Sequence, residues 1–464
     1  MKKILALFLL ATSLSPASFA ASLPENVLDA LARAHIPLGS VGVVVQEERA
    51  SSPFLSVNAN VAMNPASTMK LLTTLSALET LGPAYRWKTE AYLDGKLENG
   101  VLQGNLVFKG YGDPKFTVEQ FWLWLHELRQ RGLREIRGDI VLDHSFFAPM
   151  NHDPAEFDND PTRAYNVGPS ALLLNFNALH LHLIPDGKTT IALLEPDLAN
   201  YTVSNRIVTS AKLSCHGADA YSARLDGHTI VLEGAIPEGC GEADDYFSLL
   251  PHDDYFFAVF GALWQELGGT LRGKVREGSA PVGQAAFATH VSPELSEVVR
   301  DINKFSNNTM ARQLFLTMGA LDGQPADIAR SIASVQQWLL KQQLQFPELV
   351  MENGAGLSRK ARISTRHLAD VLQRATRSLY SAELQASLPI LGLDGTVKKR
   401  FKDCDLAGHA HLKTGTLEGV KSIAGYVHAQ SGEQWIVVFI INHPNAASGQ
   451  AAQDALIEWV QKSH

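Results

Sequence analysis

The chain has 464 residues, of which 45% are hydrophobic and 19% charged, and its formal net charge at neutral pH is −8. This length exceeds what one ordinary hydrophobic core supports, so we expect two or three domains, and the composition excludes a disordered chain. The negative charge disfavours nucleic acid and anionic membranes as partners.

The first 20 residues have the pattern of a cleavable export signal. A basic start is followed by an apolar run at 4–14, which is too short to span a bilayer, and a small residue stands at Ala20. We therefore expect cleavage after Ala20. The longest later apolar run, 435–442, has the length of a buried strand, so we predict no transmembrane anchor.

Helices and strands alternate along the rest of the chain. Turn and cap residues, such as Asn99-Gly100 between two strands and Thr117 before a helix, mark several of their ends. The predicted elements are a helix at 65–81, strands within 88–110, a helix at 117–132, a β-rich region at 179–250, helices at 254–267, 293–320 and 363–375, strands at 411–417, 422–429 and 435–442, and a helix at 447–461.

These elements predict an α/β (α+β) protein with one interrupted domain. Three successive strands with short links near the end of the chain imply an antiparallel sheet flanked by helices. The simplest assembly forms that domain from residues 21–85 and 276–464. A large, mainly β insertion at 86–275 would then form two subdomains, whose internal boundary the sequence does not mark.

Three cysteines, Cys215, Cys240 and Cys404, follow the predicted signal. In an oxidising compartment Cys215 and Cys240 could close a loop, which would leave Cys404 free and buried. Three unpaired thiols remain an alternative. None of the three lies at a helix start or among histidines, so we do not predict a catalytic cysteine.

The helix predicted at 65–81 carries a cation in an otherwise apolar pattern. Lys70 follows Ser67 by three residues, so the two side chains share one face of a helix. A buried lysine is unfavourable unless it is paired or its pKa is lowered, and a neutral lysine can accept the proton of a serine hydroxyl. Alone, the pair is equally compatible with a lysine that extends to solvent.

Two further motifs make the first one specific. Ser306-Asn307-Asn308 lies on a predicted helix, and Lys413-Thr414-Gly415 lies in a predicted strand. Either tripeptide alone could occur by chance in a chain of this length. The three motifs, however, occur in a fixed order along the chain, and each lies in a distinct structural setting. Together they indicate a serine nucleophile with a lysine base.

Ser-x-x-Lys, Ser-x-Asn and Lys-Thr-Gly are the three motifs of penicillin-binding proteins and serine β-lactamases, which this sequence therefore resembles. The long separation of the first two is similar to the low-molecular-mass class C, or penicillin-binding-protein-4 type, D-alanyl-D-alanine carboxypeptidase/endopeptidases. Other stretches that resemble this family are 110-GYGDP-114, 168-GPSALLLNFNAL-179, 353-NGAGLSR-359 and 389-PILGLDGT-396. The resemblance implies a DD-peptidase-like fold.

The resemblance also implies a role for each motif residue. Ser67 would be the nucleophile and Lys70 its base, with Ser306 relaying a proton and Asn308 holding Lys70 and a substrate peptide group. Lys413, Thr414, Gly415 and Thr416 would bind substrate, the first two at the carboxylate of a terminal D-Ala. The backbone N–H groups of Ser67 and Thr416 would form the oxyanion hole.

Substrate contacts outside the three motifs are implied at Asp160, Tyr165 and Arg359. An acid at this place would suit the free amine of a diamino acid. Glu418 departs from the glutamine that the family often has two places after the position of Thr416, so no substrate contact is assigned to it.

The implied function is that of an exported, periplasmic serine DD-peptidase. It would cleave D-Ala-D-Ala or cross-linked stem peptides of peptidoglycan and be acylated by β-lactam antibiotics. A serine β-lactamase and a non-catalytic peptidoglycan-binding protein are the alternatives, and a homo-oligomer is left open. His180/His182 and His409/His411 pair imidazoles on strand faces, but no third ligand follows at a metal-site spacing, so we predict neither metal nor cofactor.

Overall fold

The computed structural model describes residues 22–215, 220–402 and 404–463. The predicted export signal at 1–20, with its cleavage point after Ala20, lies outside these residues. Within the described ranges, we find no helix that combines the length and the apolar character needed to cross a membrane.

The helices and strands of the described residues are numbered in chain order. The helices are α1 (Glu25–Arg33), α2 (Lys70–Leu81), α3 (Val118–Gln130), α4 (His252–Glu266), α5 (Leu295–Lys304), α6 (Asn308–Gly319), α7 (Ile328–Lys341), α8 (Thr365–Thr376), α9 (Ser381–Ser387) and α10 (Gln450–Ser463). The strands are β1 (Val41–Glu47), β2 (Leu55–Val57), β3 (Lys88–Glu98), β4 (Val101–Gly110), β5 (Glu135–Ile136), β6 (Ile140–Asp143), β7 (Leu179–Asp186), β8 (Thr189–Glu195), β9 (Thr202–Ser210), β10 (Ala220–Asp226), β11 (Thr229–Pro237), β12 (Ala243–Phe247), β13 (Thr270–Leu271), β14 (Val275–Glu277), β15 (Ala288–Val291), β16 (Ala410–Leu417), β17 (Val420–His428) and β18 (Gln434–Asn442).

The two ends of the chain form one five-stranded sheet with the order β16-β17-β18-β1-β2, and every pair in it is antiparallel. Strands β1 and β18 are almost wholly buried because helices cover both faces. On one face the core includes residues of α1 and α10, and on the other residues of α2 and α5 to α9. The predicted antiparallel sheet flanked by helices is confirmed.

The long segment between α2 and α5 builds two further sheets. One follows the order β10-β11-β9-β8-β7-β12, and the other follows β13-β5-β4-β3-β15 with β6 and β14 attached. One continuous hydrophobic core joins both sheets to α3 and α4. Because β15 pairs with β3, this second sheet extends to Val291, beyond the predicted boundary at residue 275.

The cysteines also differ from part of the expectation. Cys215 and Cys240 form a disulfide that closes 25 residues of sequence beside the first of these sheets. Cys404 is free, as both alternatives required, but it is exposed rather than buried. The apolar residues around it face the core, and the thiol lies in a surface turn.

We expect the disulfide to stabilise the inserted segment without affecting the site described below. Replacing both Cys215 and Cys240 with serine should lower the free energy of unfolding by about 3 kcal/mol, because the unfolded loop regains its entropy. Thermal unfolding with and without reductant measures this change. The wild-type protein, unfolded without reductant, should take up one alkyl group, at Cys404; uptake of three would contradict the pairing.

Candidate active site

Ser67 lies in a tight turn at the start of α2. The short 3-10 segment Ala66–Met69 leads directly into the helix, and Ala66 has a φ of 47°, in the left-handed region. This conformation is strained for alanine. Asn64 Oδ1 accepts a hydrogen bond from Ala66 N at 2.9 Å, and Asn442 Oδ1 accepts one from Asn64 N at 2.8 Å. The backbone that presents Ser67 is therefore fixed by the side-chain amides of buried Asn64 and half-buried Asn442.

Lys70 is fully buried, and its side-chain nitrogen Nζ is surrounded by oxygen atoms. Nζ lies 3.0 Å from Ser67 Oγ, 2.7 Å from Asn308 Oδ1 and 2.6 Å from the carbonyl oxygen of Ala355. The two carbonyl-type oxygens can only accept, so a neutral amine donates its two protons to them. Its lone pair then remains for the hydroxyl proton of Ser67. This set of contacts suits a base directed at Ser67.

The pKa of the Lys70 amine lies well below its usual value. Burial is the largest cause, and the positive charges of Lys413 and Arg312 lower the pKa further. The sequence predicts the burial of Lys70 but not the effect of Arg312. A lower pKa raises the neutral fraction of the amine at neutral pH, and only the neutral form can act as a base.

Ser306 lies in a break between two helices, which corrects the single helix predicted over 293–320. Its φ of 58° is left-handed, and the chain then re-enters a helix where Asn307 Oδ1 accepts from Met310 N at 2.9 Å. The hydroxyl of Ser306 accepts a hydrogen bond from Lys413 Nζ at 2.9 Å. The second and third motifs are thus joined directly.

Lys413 is fully buried on β16. Its Nζ donates to Ser306 Oγ and, at 2.8 Å, to the carbonyl oxygen of Thr414. Burial lowers the pKa of Lys413 to about 7. No carboxylate within the described part of the chain forms an ion pair with it, so this cation can attract a carboxylate from a ligand.

β16 is an edge strand, and half of its edge is open. At its start, Leu412 N donates to the carbonyl oxygen of Pro389 at 2.8 Å on the edge side. Backbone N–H groups alternate in direction along a strand, so those of Thr414 and Thr416 point to the same side. The N–H of Thr416 therefore faces the open edge, as an oxyanion donor requires.

Gly415 allows β16 to approach the turn that holds Ser67. A Cβ atom at this position would lie 2.8 Å from Ser67 N, 2.9 Å from the carbonyl oxygen of Pro65 and 2.3 Å from Ser422 Oγ. Two of these contacts are with backbone, which has little freedom to move. Glycine is therefore required here by space.

The variant Gly415→Ala should acylate about 100-fold more slowly, because a displacement of the strand by about 1 Å misaligns Ser67 with its partners. Stopped-flow measurement with a fluorescent penicillin would report the rate. Gly39→Ala is a matched control, since a Cβ at Gly39 meets nothing within 4 Å. Acylation of Gly415→Ala at the wild-type rate would show that the close approach is not needed.

One cavity of about 770 Å³ opens over these groups. It lies between the sheet edge, the break before α6 and the inserted segment, with Lys70 and Lys413 buried beneath it. Its lining residues are Ser67, Phe157, Asp158, Tyr165, Ser306, Asn308, Leu357, Arg359, Thr396, Lys399, Arg400, Thr414, Gly415, Thr416, Leu417, Glu418, Lys421 and Gln450. The structure thus brings every predicted site residue together except Asp160.

Asp160 does not reach the cavity, contrary to the expectation from the sequence. Its carboxylate accepts hydrogen bonds from Thr162 and, at 2.9 Å, from Arg163, which hold the local turn together. The acid that lines the cavity is Asp158, whose carboxylate accepts from the hydroxyl of Tyr165 at 2.7 Å. Asp158, rather than Asp160, is therefore the acid that this loop contributes to the lining of the cavity.

Arg359 and Glu418 meet at the cavity mouth. Arg359 donates to the Glu418 backbone at 3.1 Å and lies 3.3 Å from its carboxylate, while its guanidinium stacks 4.7 Å from the Phe157 ring centre. The Glu418 side chain is 90% exposed, so the ion pair adds little stability. It does hold Arg359 across the mouth.

Two further residues contribute to the site but were not predicted, because neither belongs to one of the three motifs. Ala355 acts through its backbone carbonyl, which any residue would offer, although it lies in a stretch that resembles the family. Thr396 accepts a 2.7 Å hydrogen bond from Thr414 Oγ1 and so orients that hydroxyl. Both residues lie in stretches that resemble the family, at 353–359 and 389–396, and that resemblance was the one indication of their importance that the sequence offered.

Comparison with known proteins gives a consistent result along nearly the whole chain. Residues 23–463 match the model of the D-Ala-D-Ala carboxypeptidase 3 (S13) family. A relative from Haemophilus influenzae named D-alanyl-D-alanine carboxypeptidase DacB is 27% identical over 447 residues, which cover 94% of this chain and 91% of the relative.

Solved structures agree with this match. The crystal structure of penicillin binding protein 4 (dacB) from Haemophilus influenzae aligns with a TM-score of 0.78 and 25% identity, covering 94% of this chain and all of that one. The same protein complexed with a novel β-lactam aligns with a TM-score of 0.74 and 25% identity over the same shares.

Proposed function

Because the chain belongs to the D-Ala-D-Ala carboxypeptidase 3 (S13) family, we propose that it is a serine DD-peptidase whose nucleophile is Ser67. It hydrolyses D-Ala-D-Ala bonds, or D-Ala–diamino acid cross-links, of peptidoglycan stem peptides. The proposal rests mainly on the contact of buried Lys70 Nζ with Ser67 Oγ at 3.0 Å. The other two partners of Nζ, Asn308 Oδ1 and the carbonyl oxygen of Ala355, can only accept hydrogen bonds.

Acylation begins with transfer of the Ser67 hydroxyl proton to neutral Lys70. Ser67 Oγ then forms a bond to the carbonyl carbon of the scissile peptide, and the carbonyl oxygen becomes negatively charged. The N–H groups of Ser67 and Thr416 stabilise this oxygen, and removal of one such donor lowers kcat by about 10²- to 10³-fold in serine peptidases.

Collapse of the tetrahedral intermediate breaks the C–N bond. The proton held by Lys70 passes through the hydroxyl of Ser306 to the leaving amine, which departs as the free C-terminal residue. Asn308 holds Lys70 in place by accepting a hydrogen bond from Nζ at its side-chain oxygen. Water then attacks the acyl carbon while Lys70 takes a proton from it. The ester bond to Ser67 Oγ breaks and Lys70 returns the proton to Oγ, so Ser67 is regenerated and the acid product is released.

Lys413 sets the direction of the bound peptide. Its buried charge, with the hydroxyl of Thr414, attracts the carboxylate of a terminal D-Ala. The open edge of β16 pairs with the backbone on the acyl side of the substrate, as in other complexes where a peptide extends a sheet. Asp158 and Tyr165 line the cavity from the inserted segment, and their acidic and phenolic groups would suit the free amine of a diamino acid.

β-Lactams acylate Ser67 by the same route, since the ring amide takes the place of the scissile peptide. Peptidoglycan lies outside the cytoplasm, so this function requires export, and the pattern at 1–20 supports a periplasmic location. The negative net charge is consistent with a partner other than nucleic acid.

Product analysis tests the proposal. The purified protein is incubated with a pentapeptide that ends in D-Ala-D-Ala, and separately with a cross-linked muropeptide. We expect release of D-Ala from the first or cleavage of the second, together with stable binding of penicillin. Rapid turnover of penicillin without peptide cleavage would instead identify a β-lactamase, and no reaction with either would identify a non-catalytic protein.

A further inference from the structure

A second cavity, of about 260 Å³, adjoins the one described above and contains a buried cation. The two cavities share Phe157, Leu357 and Arg359, so the stacked pair of Phe157 and Arg359 stands at their boundary. This volume is below the range of about 300–1,000 Å³ typical of pockets for whole ligands. It therefore suits one group of a larger molecule.

The cation is Arg312 on α6, one helical turn beyond Asn308. Arg312 is only 6% exposed, and its guanidinium donates from one nitrogen, Nη1, to the carbonyl oxygens of Tyr165 and Val167. In the ranges that the structure describes, Arg312 forms no ion pair with a carboxylate. Burial lowers the pKa of Arg312 to about 10, which leaves it charged at neutral pH.

Acids do line this cavity, but they do not neutralise Arg312. The Glu352 carboxylate accepts from Ser358 and lies 3.4 Å from Lys360 Nζ. Asp153 and Glu156 are exposed and form no ion pair with Arg312 among the described residues; Asp153 accepts from Ala155 N at 2.9 Å. A buried charge that is only partly compensated is unfavourable, so an incoming anion would gain more here than at an exposed arginine.

We propose that Arg312 binds a carboxylate of the substrate's acyl portion, and that this cavity is a subsite upstream of the scissile bond. The inference rests on the proposed function, because it needs a peptide held along β16. Such a peptide leaves the strand end at Leu417 and Glu418, which lie beside Arg359 at the boundary of the two cavities. Lys413 holds the carboxylate at the other end, so the two cations serve different groups.

The test compares matched peptides that end in D-Ala-D-Ala. One series carries glutamate, and the other glutamine, at the second or third residue on the acyl side. For the wild-type protein we expect kcat/KM to be at least about 10-fold higher for a glutamate peptide, the magnitude of one hydrogen-bonded charge pair. The ratio cancels any common effect of a variant on Lys70.

Arg312→Gln should bring this ratio close to one, and Arg312→Lys should retain part of it. Asn151→Trp narrows the cavity from an exposed lining position and should reduce the ratio without removing the charge. Arg377→Gln, at an exposed position that lines neither cavity, is the matched control and should keep the wild-type ratio.

A wild-type ratio of one, or a ratio unchanged in Arg312→Gln, would overturn the proposal. Acetate is the probe for a free anion: if it stabilises the wild type but not Arg312→Gln while the peptide ratio is one, the site binds a free anion and the substrate assignment falls. Penicillin labelling of Ser67 is measured on the same samples. Labelling with a ratio of one contradicts only the subsite, whereas absence of labelling contradicts the proposed function.

Discussion

The variant Ser67→Ala should form no covalent adduct with penicillin and should release D-Ala about four to six orders of magnitude more slowly than the wild type. The loss follows because Ser67 Oγ is the one hydroxyl within 3.0 Å of Lys70 Nζ among the hydrogen bonds of the described residues. Intact-protein mass spectrometry and D-Ala release measure the two effects.

Folding should survive this change, because alanine removes one oxygen atom from a site that is otherwise held by Asn64 and Asn442. Thermal unfolding of the variant should match that of the wild type. Ser52→Ala, at an exposed serine nearby in sequence, is the matched control and should label normally. A persistent adduct in Ser67→Ala would place the nucleophile elsewhere.

Lys70→Ala and Lys70→Arg should both lower the acylation rate by about 10³-fold, within the range for loss of a general base. Arginine keeps the positive charge but stays protonated, so its failure would separate proton abstraction from electrostatic attraction. The rate is measured by stopped flow with a fluorescent penicillin. Near-normal acylation by Lys70→Arg would contradict the role of Lys70 as the base.

The pH dependence of the wild type provides a second measure of Lys70. The reactive form is neutral, so the acylation rate should rise with pH as Lys70 loses its proton and then level off. Because the pKa is lowered, this rise should lie well below the usual lysine value of about 10.4. Lys413, in contrast, is needed in its charged form. Its charge is present below about pH 7 and lost above it, so KM for a carboxylate-bearing peptide should increase at higher pH.

The three motifs were predictable because each depends on residue type and short spacing. Ser67 and Lys70 share a face at three residues apart, and Lys413 and Gly415 share one at two. The antiparallel sheet followed from the short links between its strands. These features are local in the sequence, and so the sequence carries them directly.

Features that depend on backbone conformation were not predictable in the same way. The positions of the apolar residues in α5 and α6 do not mark the left-handed Ser306 that separates the two helices. The carbonyl of Ala355 has no side-chain signature. In the sequence, Arg312 cannot be distinguished from an ordinary helix residue. Its burial depends on the packing of α6 beside the inserted segment.

The inserted segment was also difficult to predict from the sequence. Asp160 was expected to face the substrate from the resemblance to the family alone. In such a loop a shift of two residues, to Asp158, changes which carboxylate faces the cavity. The sequence also did not indicate that β15, which ends at Val291, belongs to the sheet of the insertion. This strand has only four residues, and its partner β3 lies at the other end of the insertion.

The most direct measurement is to locate the penicilloyl group on the wild-type protein. Trypsin cleaves after Arg49 and Lys70, so Ser67 lies in the peptide 50–70 with other serines and Thr68. We expect the adduct on this peptide, and fragmentation should place it on Ser67. An adduct on another residue, or none on a folded protein that has been exposed to penicillin, would contradict the assignment of Ser67 as the nucleophile.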